Sequence, residues 1–127
     1  MAKKVNQIQF STRDRVGVLA VITAAMRVSK INILHLAAWS DSGKGFFNMV
    51  TNNNSKAKQI LRKLGISSKE GEGILINLQN KVGTLEKVTR KLAKANISIT
   101  CLSATSGGSR TSVLLHTKNN AKALRII

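Results

Sequence analysis

The chain contains itself twice. Asp14-Arg15-Val16-Gly17-Val18-Leu19 is followed by an apolar segment and Ile31-Asn32-Ile33, and an offset of 66 positions gives Asn80-Lys81-Val82-Gly83-Thr84-Leu85 and then Ile97-Ser98-Ile99. The offset holds without a gap through Thr23/Thr89, Leu36/Leu102, Thr51/Thr117, Asn53/Asn119, Asn54/Asn120, Lys56/Lys122 and Ala57/Ala123. A fixed offset of that length marks duplicated structural units. The expected units are residues 1–70 and 71–127. Each is small enough to bury only a marginal core alone, so the two are expected to share surface.

Each copy reads as β-α-β-β-α-β. Lys4 to Phe10 and Gly73 to Leu78 read as first strands, with Ile74, Ile76 and Leu78 alternating onto one face. Gly17 and Gly83 open helices. In the second copy Leu85, Val88, Leu92 and Ala95 form an apolar stripe while Lys87, Arg90, Lys91 and Lys94 point away from it. The first copy keeps Leu19, Ile22 and Met26 but has Val18, Val21, Ala24, Ala25 and Val28 on its outer face, which predicts an interface helix.

Ile31 to Ser40 and Ile97 to Ser106 read as second strands, each closed by a turn at Asp41-Ser42-Gly43 or Gly107-Gly108-Ser109. Third strands follow at Gly45 to Thr51 and Thr111 to Thr117. Asn52 to Ser55 reads as a helix cap before a helix over Lys56 to Leu64, and Ile66 to Glu70 as a short fourth strand. The second copy reaches Ile127 inside its last helix, so it is expected to lack its last strand and to leave a sheet edge for another chain or the first unit to cover. The fold class is α+β, two tandem ferredoxin-like units with antiparallel sheets and helices on one face.

These residues resemble the ACT domain, and the layout is similar to small stand-alone tandem ACT proteins. The Gly-opened helix after a strand, followed by Ile-Asn-Ile or Ile-Ser-Ile, carries the resemblance in both copies. It implies a regulatory module that binds a small ligand, most often an amino acid, and couples it to an enzyme or to transcription. The family usually has proline before the glycine. Val16 and Val82 stand there in a chain without proline, which leaves the loops less rigid.

By the resemblance, ligand is expected at the strand-to-helix loops between the units: Asp14, Arg15, Val16, Gly17 and Val18 in the first copy, and Asn80, Lys81, Val82, Gly83 and Thr84 in the second. Asn32 matches a second-strand residue that in some ACT domains reaches ligand across a domain interface, and Ser98 is its counterpart. Chemistry supports the same place. A glycine turn lets backbone approach a ligand, amides at a helix start attract a carboxylate, and Asp or Asn accepts from an ammonium group. The plainer role for Asp14 and Asn80 is helix capping.

Catalysis finds little to use. His35 and His116 are the two histidines, Cys101 aligns with His35 as a core-facing replacement, and the five acids (Asp14, Asp41, Glu70, Glu72, Glu86) are scattered. No catalytic residue, metal site or cofactor is indicated, and the protein is expected not to be an enzyme. Gly43-Lys44-Gly45 lacks the flanking residues of a phosphate loop.

With 21 Lys and Arg against 5 acids the net charge is +16, which suits nucleic acid or an acidic protein as partner. The fold order also serves RNA recognition, and Lys44-Gly45-Phe46-Phe47-Asn48 partly imitates its basic-Gly-aromatic strand. Asn48 replaces the following aromatic, Phe10 is the one aromatic of strand 1, and Thr111 to Leu115 contains none. A basic nucleic-acid-binding module and a purely structural oligomerisation domain remain the alternatives. Trp39 is either an interface or ligand-stacking residue or the edge of a core.

One cysteine fits a reducing cytoplasm. The apolar run Val16 to Met26 after Lys3, Lys4, Arg13 and Arg15 imitates a signal peptide but recurs internally as Val82 to Leu92, so it reads as a structural unit. It is too short to span a bilayer. A cytoplasmic homodimer without membrane contact is the expected state.

Overall fold

The computed structural model describes residues 2–127. Residue 1, with which the first expected unit begins, lies outside them. The described residues form β1 (Ala2–Arg13), α1 (Val18–Val28), β2 (Ile33–Asp41), β3 (Lys44–Thr51), α2 (Asn54–Lys63), β4 (Ser68–Gln79), α3 (Thr84–Lys94), β5 (Ile99–Gly107), β6 (Arg110–Thr117) and α4 (Asn120–Ile126). The two ferredoxin-like copies are therefore present, with β1–β3, β2–β3, β4–β6 and β5–β6 all paired antiparallel.

Contacts divide the chain into a unit of residues 6–71 and a unit of residues 2–5 with 72–127. In the first, the strand order is β2-β3-β1. Ile8 lies opposite Met49 and Phe10 opposite Phe47, and Leu36 reaches Met49 from the other side. Strand alternation sends Ile8, Phe10, Phe47 and Met49 to the helix-covered face, where Ile22 and Met26 of α1 and Ala57 and Leu61 of α2 complete the core. The rings of Phe10 and Phe47 stack with centroids 4.8 Å apart.

The second unit repeats this with order β4-β6-β5. Ile74 and Ile76 face Leu115 and Val113, and Val88, Leu92 and Ala123 cover them from the helices. Its core is aliphatic throughout, each buried Leu, Ile or Val contributing about 1.5–3 kcal/mol of transfer free energy. Residues 2–5 of β1 belong with this unit: Ala2 packs against its core and Lys4 Nζ lies 2.7 Å from Glu72 Oε2.

Ile66 to Glu70 and Gly73 to Leu78 were expected as separate strands, and the structure has one, Ser68–Gln79. The strand runs through Gly71 and Gly73, neither of which takes a positive φ. The turns that do form are real reversals. Ser42 and Gly43 have φ of 52° and 80°, the two positive values of a tight hairpin between β2 and β3.

The repeated Thr-x-Asn-Asn pattern is a cap and clamp. Asn53 Oδ1 accepts from Lys56 N at 3.1 Å, as Asn119 Oδ1 does from Lys122 N. Asn54 Oδ1 accepts from Thr51 N and Oγ1 at 3.0 and 2.7 Å, while its Nδ2 donates to Asn6 O at 3.0 Å. Asn120 does the same with Thr117 and with Glu72 O. Each Asn therefore ties the start of a second helix to its unit's first strand position.

Candidate functional site

The loops opening α1 and α3 share a backbone. Gly17 has φ 88° and Gly83 φ 87°, a left-handed conformation that L side chains rarely adopt, and a Cβ at either would meet nothing within 4 Å. The dihedral, not crowding, requires glycine there. Val16 and Val82 beside them project fully into solvent, where proline would cost no packing.

The loops differ in their side chains. Asp14 N donates to Gly43 O at 3.0 Å, so the β2–β3 hairpin tip pins the loop through backbone. The Asp14 carboxylate makes no ion pair among the described residues. α1 has no side-chain cap and no acidic residue in its first turn. Asp14 is thus not the cap of α1, whose first amide, Val18 N, donates to Arg15 O at 3.3 Å, while those of Leu19 and Ala20 have no acceptor within the helix.

At the second loop Asn80 N donates to Ser109 O at 2.9 Å and Asn80 Nδ2 to Gly108 O at 3.0 Å. Thr84 Oγ1 is bonded to Gln79 O at 2.8 Å and Lys81 O at 3.0 Å, and Glu86 supplies an acid in the first turn of α3. Asn80 thus holds a hairpin, and Thr84 holds its own loop.

A groove of about 440 Å3 lies at the first loop. Asp14, Arg15, Gly17 and Val18 line it, with Trp39 and Ser40 from the end of β2, and Gly45 and Phe47 of β3 form its back. Trp39 is half exposed, and its indole stacks on Phe46 with centroids 5.7 Å apart. Ser40 and Ala38 were not singled out from sequence. The signal was there: a two-residue hairpin brings the end of β2 back beside the loop that its tip pins.

Val16 lies outside this lining. Asn32 sits at the other end of α1 from Gly17, about 16 Å along the 11-residue helix. Its backbone N donates to Asn52 Oδ1 at 3.0 Å, while Ser98 O accepts from Lys118 N at 2.9 Å. Within its own unit each of these residues is remote from the Gly loop. Of the second-loop residues, Thr84 lines a separate concavity with Leu78, Lys87 and Val88.

His35 and Cys101, expected to face the core, do not. Leu36 and Leu102 pack against the two cores, so strand alternation places their neighbours on the opposite sheet face. A register shift between Ile33 and His35, repeated between Ile99 and Cys101, lets Ile33 and Leu36 both reach the core. Burial holds both imidazoles, His35 and His116, below their ordinary pKa of 6.5. No group of three or more His, Cys, Asp or Glu is placed to hold a metal among the described residues. No helix among them is long and apolar enough to cross a membrane.

A family model described as an ACT domain pair matches residues 3–127. No curated protein matches the sequence. Among solved structures, a protein from Bacteroides thetaiotaomicron superposes with a TM-score of 0.91 at 18% identity, over 98% of this chain and 87% of that one. The ligand-free regulatory subunit of aspartate kinase from Thermus thermophilus gives 0.68 at 14% identity, over 95% and 89%. Aspartate kinase from Clostridium acetobutylicum gives 0.68 at 17% identity, over 99% of this chain and 32% of that enzyme. At these identities the likeness is one of fold.

Proposed function

The chain belongs to the ACT domain family, whose domains are regulatory modules, and from that premise we propose that it is a non-enzymatic regulator whose ligand is an amino acid held in the groove between Asp14 and Trp39. The observation that carries this reading is the pairing of an unpaired carboxylate with an uncapped helix start in one open groove. Asp14 accepts from the ligand's ammonium group. The amides of Leu19 and Ala20 in the first turn of α1, with Arg15 beside them, take its carboxylate. Trp39 and Val18 offer apolar surface to the side chain.

The second copy carries weaker support, because Asn80 and Thr84 are committed to backbone carbonyls. We assign binding to the first loop and a supporting role to the second. Regulation follows if the ligand favours one arrangement of the protein over another, by as much as its affinities for the two differ. The partner of the exposed apolar face of α1 is a second copy of the chain, in the cytoplasm.

Thermal shift against the proteinogenic amino acids tests this. A ligand at a hundred times its Kd adds about 2.7 kcal/mol, a rise in Tm on the order of 8 °C. Asp14→Asn, which keeps the shape and removes the charge, is expected to lose most of the shift while leaving the unliganded Tm in place. No shift with any amino acid would remove the reading. The nucleic-acid alternative has less to stand on, since Phe10 and Phe47 are spent in the core.

A further inference from the structure

In the second copy the hydroxyls of Ser106 and Thr111, cross-strand partners on β5 and β6, are hydrogen-bonded to each other at 2.7 Å. Their counterparts in the first copy, Ser40 and Gly45, are cross-strand partners too, and both line the Asp14 groove. Ala38 pairs with Phe47, which is buried in the core, so strand alternation turns Ser40 toward the helices as well. Glycine gives the Ser40 hydroxyl nothing to bond, and it makes no hydrogen bond among the described residues. A Cβ at position 45 would press on Phe47 Cε1 and Thr12 Oγ1, each 3.3 Å away, whereas the second copy has Val113 in place of the ring. The phenyl ring, the glycine and the open hydroxyl therefore come as a set.

We propose that Ser40 selects the ligand of this groove: an amino acid whose side chain carries an uncharged hydrogen-bonding group, hydroxyl or carboxamide, is preferred to an apolar one of the same shape. The selection rests on the amino-acid reading of the groove. With the ligand's ammonium and carboxylate held at the α1 side, its side chain meets the β2 wall, where Ala38 and Ser40 stand. A serine hydroxyl donates and accepts, so it serves a hydroxyl and a carboxamide alike. The groove's two charged residues, Asp14 and Arg15, match the ligand's two charged ends, and a charged side chain finds no counter-charge left. In the second copy the matching hydroxyl is spent on Thr111, so the selector belongs to the first copy alone.

Titration calorimetry of the full chain with two near-isosteric pairs, threonine against valine and asparagine against leucine, tests it. The polar member is expected to bind about three- to tenfold tighter, the worth of one net hydrogen bond. Ser40→Ala is expected to bring each ratio close to one by weakening the polar member alone; a residue that merely shaped the wall would weaken both members alike. Ser106→Ala removes the matching hydroxyl of the second copy and is expected to leave both ratios as they are. Ser40 has no internal bond to lose, so its variant should melt with the wild type, and the wild-type ratios stand as the test should it not fold. The inference fails, with the amino-acid reading intact, if the tightest-binding proteinogenic amino acid has an apolar or charged side chain. It fails likewise if the apolar member matches its polar partner in both pairs, or if Ser40→Ala weakens both members alike. If no proteinogenic amino acid binds up to about 10 mM, the inference and the reading fall together.

Discussion

Position 73 shows how the two copies diverged while keeping one backbone. A Cβ on Gly73 would lie 2.9 Å from His116 Nε2 and 3.3 Å from Leu114 Cδ1. In the first copy the same two positions hold Gln7, fully buried, and Val50. The large side chain has moved from one strand to the other: Gln7 faces Val50 in the first copy, and Gly73 leaves room for His116 in the second. Gly73→Ala is therefore expected to cost about 1–3 kcal/mol, as overpacking does. His116→Val, which restores the partner found in the first copy, should recover most of that loss in the double variant. Urea denaturation of the two single variants and the double measures the coupling, expected on the order of 1 kcal/mol. Additive losses would mean that the imidazole is not what the new methyl group meets.

At the scale of elements, α1 and α3 share a core side and differ outside. Ile22 and Met26 are buried in one, Val88 and Leu92 in the other. Outside, α3 carries Lys87, Arg90, Lys91 and Lys94, with Arg90 paired to Glu86 one turn back. On α1 the matching surface is aliphatic: Val21 is 49% and Val28 71% exposed. If a second copy covers that surface, Val28→Lys, the residue found at the equivalent position 94, should turn a dimer into a monomer with little loss of fold stability. Sedimentation velocity checks this, and a wild-type chain that is already monomeric at tens of micromolar, or a variant that stays dimeric, would refute it.

This same comparison shows what was legible beforehand. The duplication, the element order and the glycine turns were readable because each has a local cause: a repeated apolar period, a positive φ, a polar cap. Asp14, Arg15, Gly17 and Val18 were named through the resemblance, and they line one groove. What could not be read was non-local. Whether Ile66 to Leu78 held a break depended on the backbone at Gly71 and Gly73. His35 faces away from the core because of a register shift that strand alternation does not announce. Ser40 joins the groove through hairpin pairing, and Asn32 is kept from it by the length of a helix.

At the scale of the whole molecule the charge dominates. Of 21 cationic side chains against 5 acidic ones, two are in ion pairs with carboxylates among the described residues, Lys4 with Glu72 and Arg90 with Glu86. Both pairs are exposed, so neither is worth more than a few tenths of a kcal/mol to about 1 kcal/mol. The remaining cations repel one another, and folding brings them closer than they are in the unfolded chain. Salt screens that repulsion over about 10 Å at 0.1 M, so the folded state should gain from it. Raising NaCl from about 20 to 300 mM is expected to raise Tm by about 3–5 °C, equivalent to about 1 kcal/mol for a chain of this size. A Tm that is flat or falls would mean that the unfolded ensemble is as self-repelled as the native state. Repeating the titration with sulfate at equal ionic strength separates two sources of stability. Pure screening predicts matching curves at low concentration. Site binding predicts a steeper sulfate curve, because an oxyanion then stabilises the protein by occupying a cluster of cations and not by screening it.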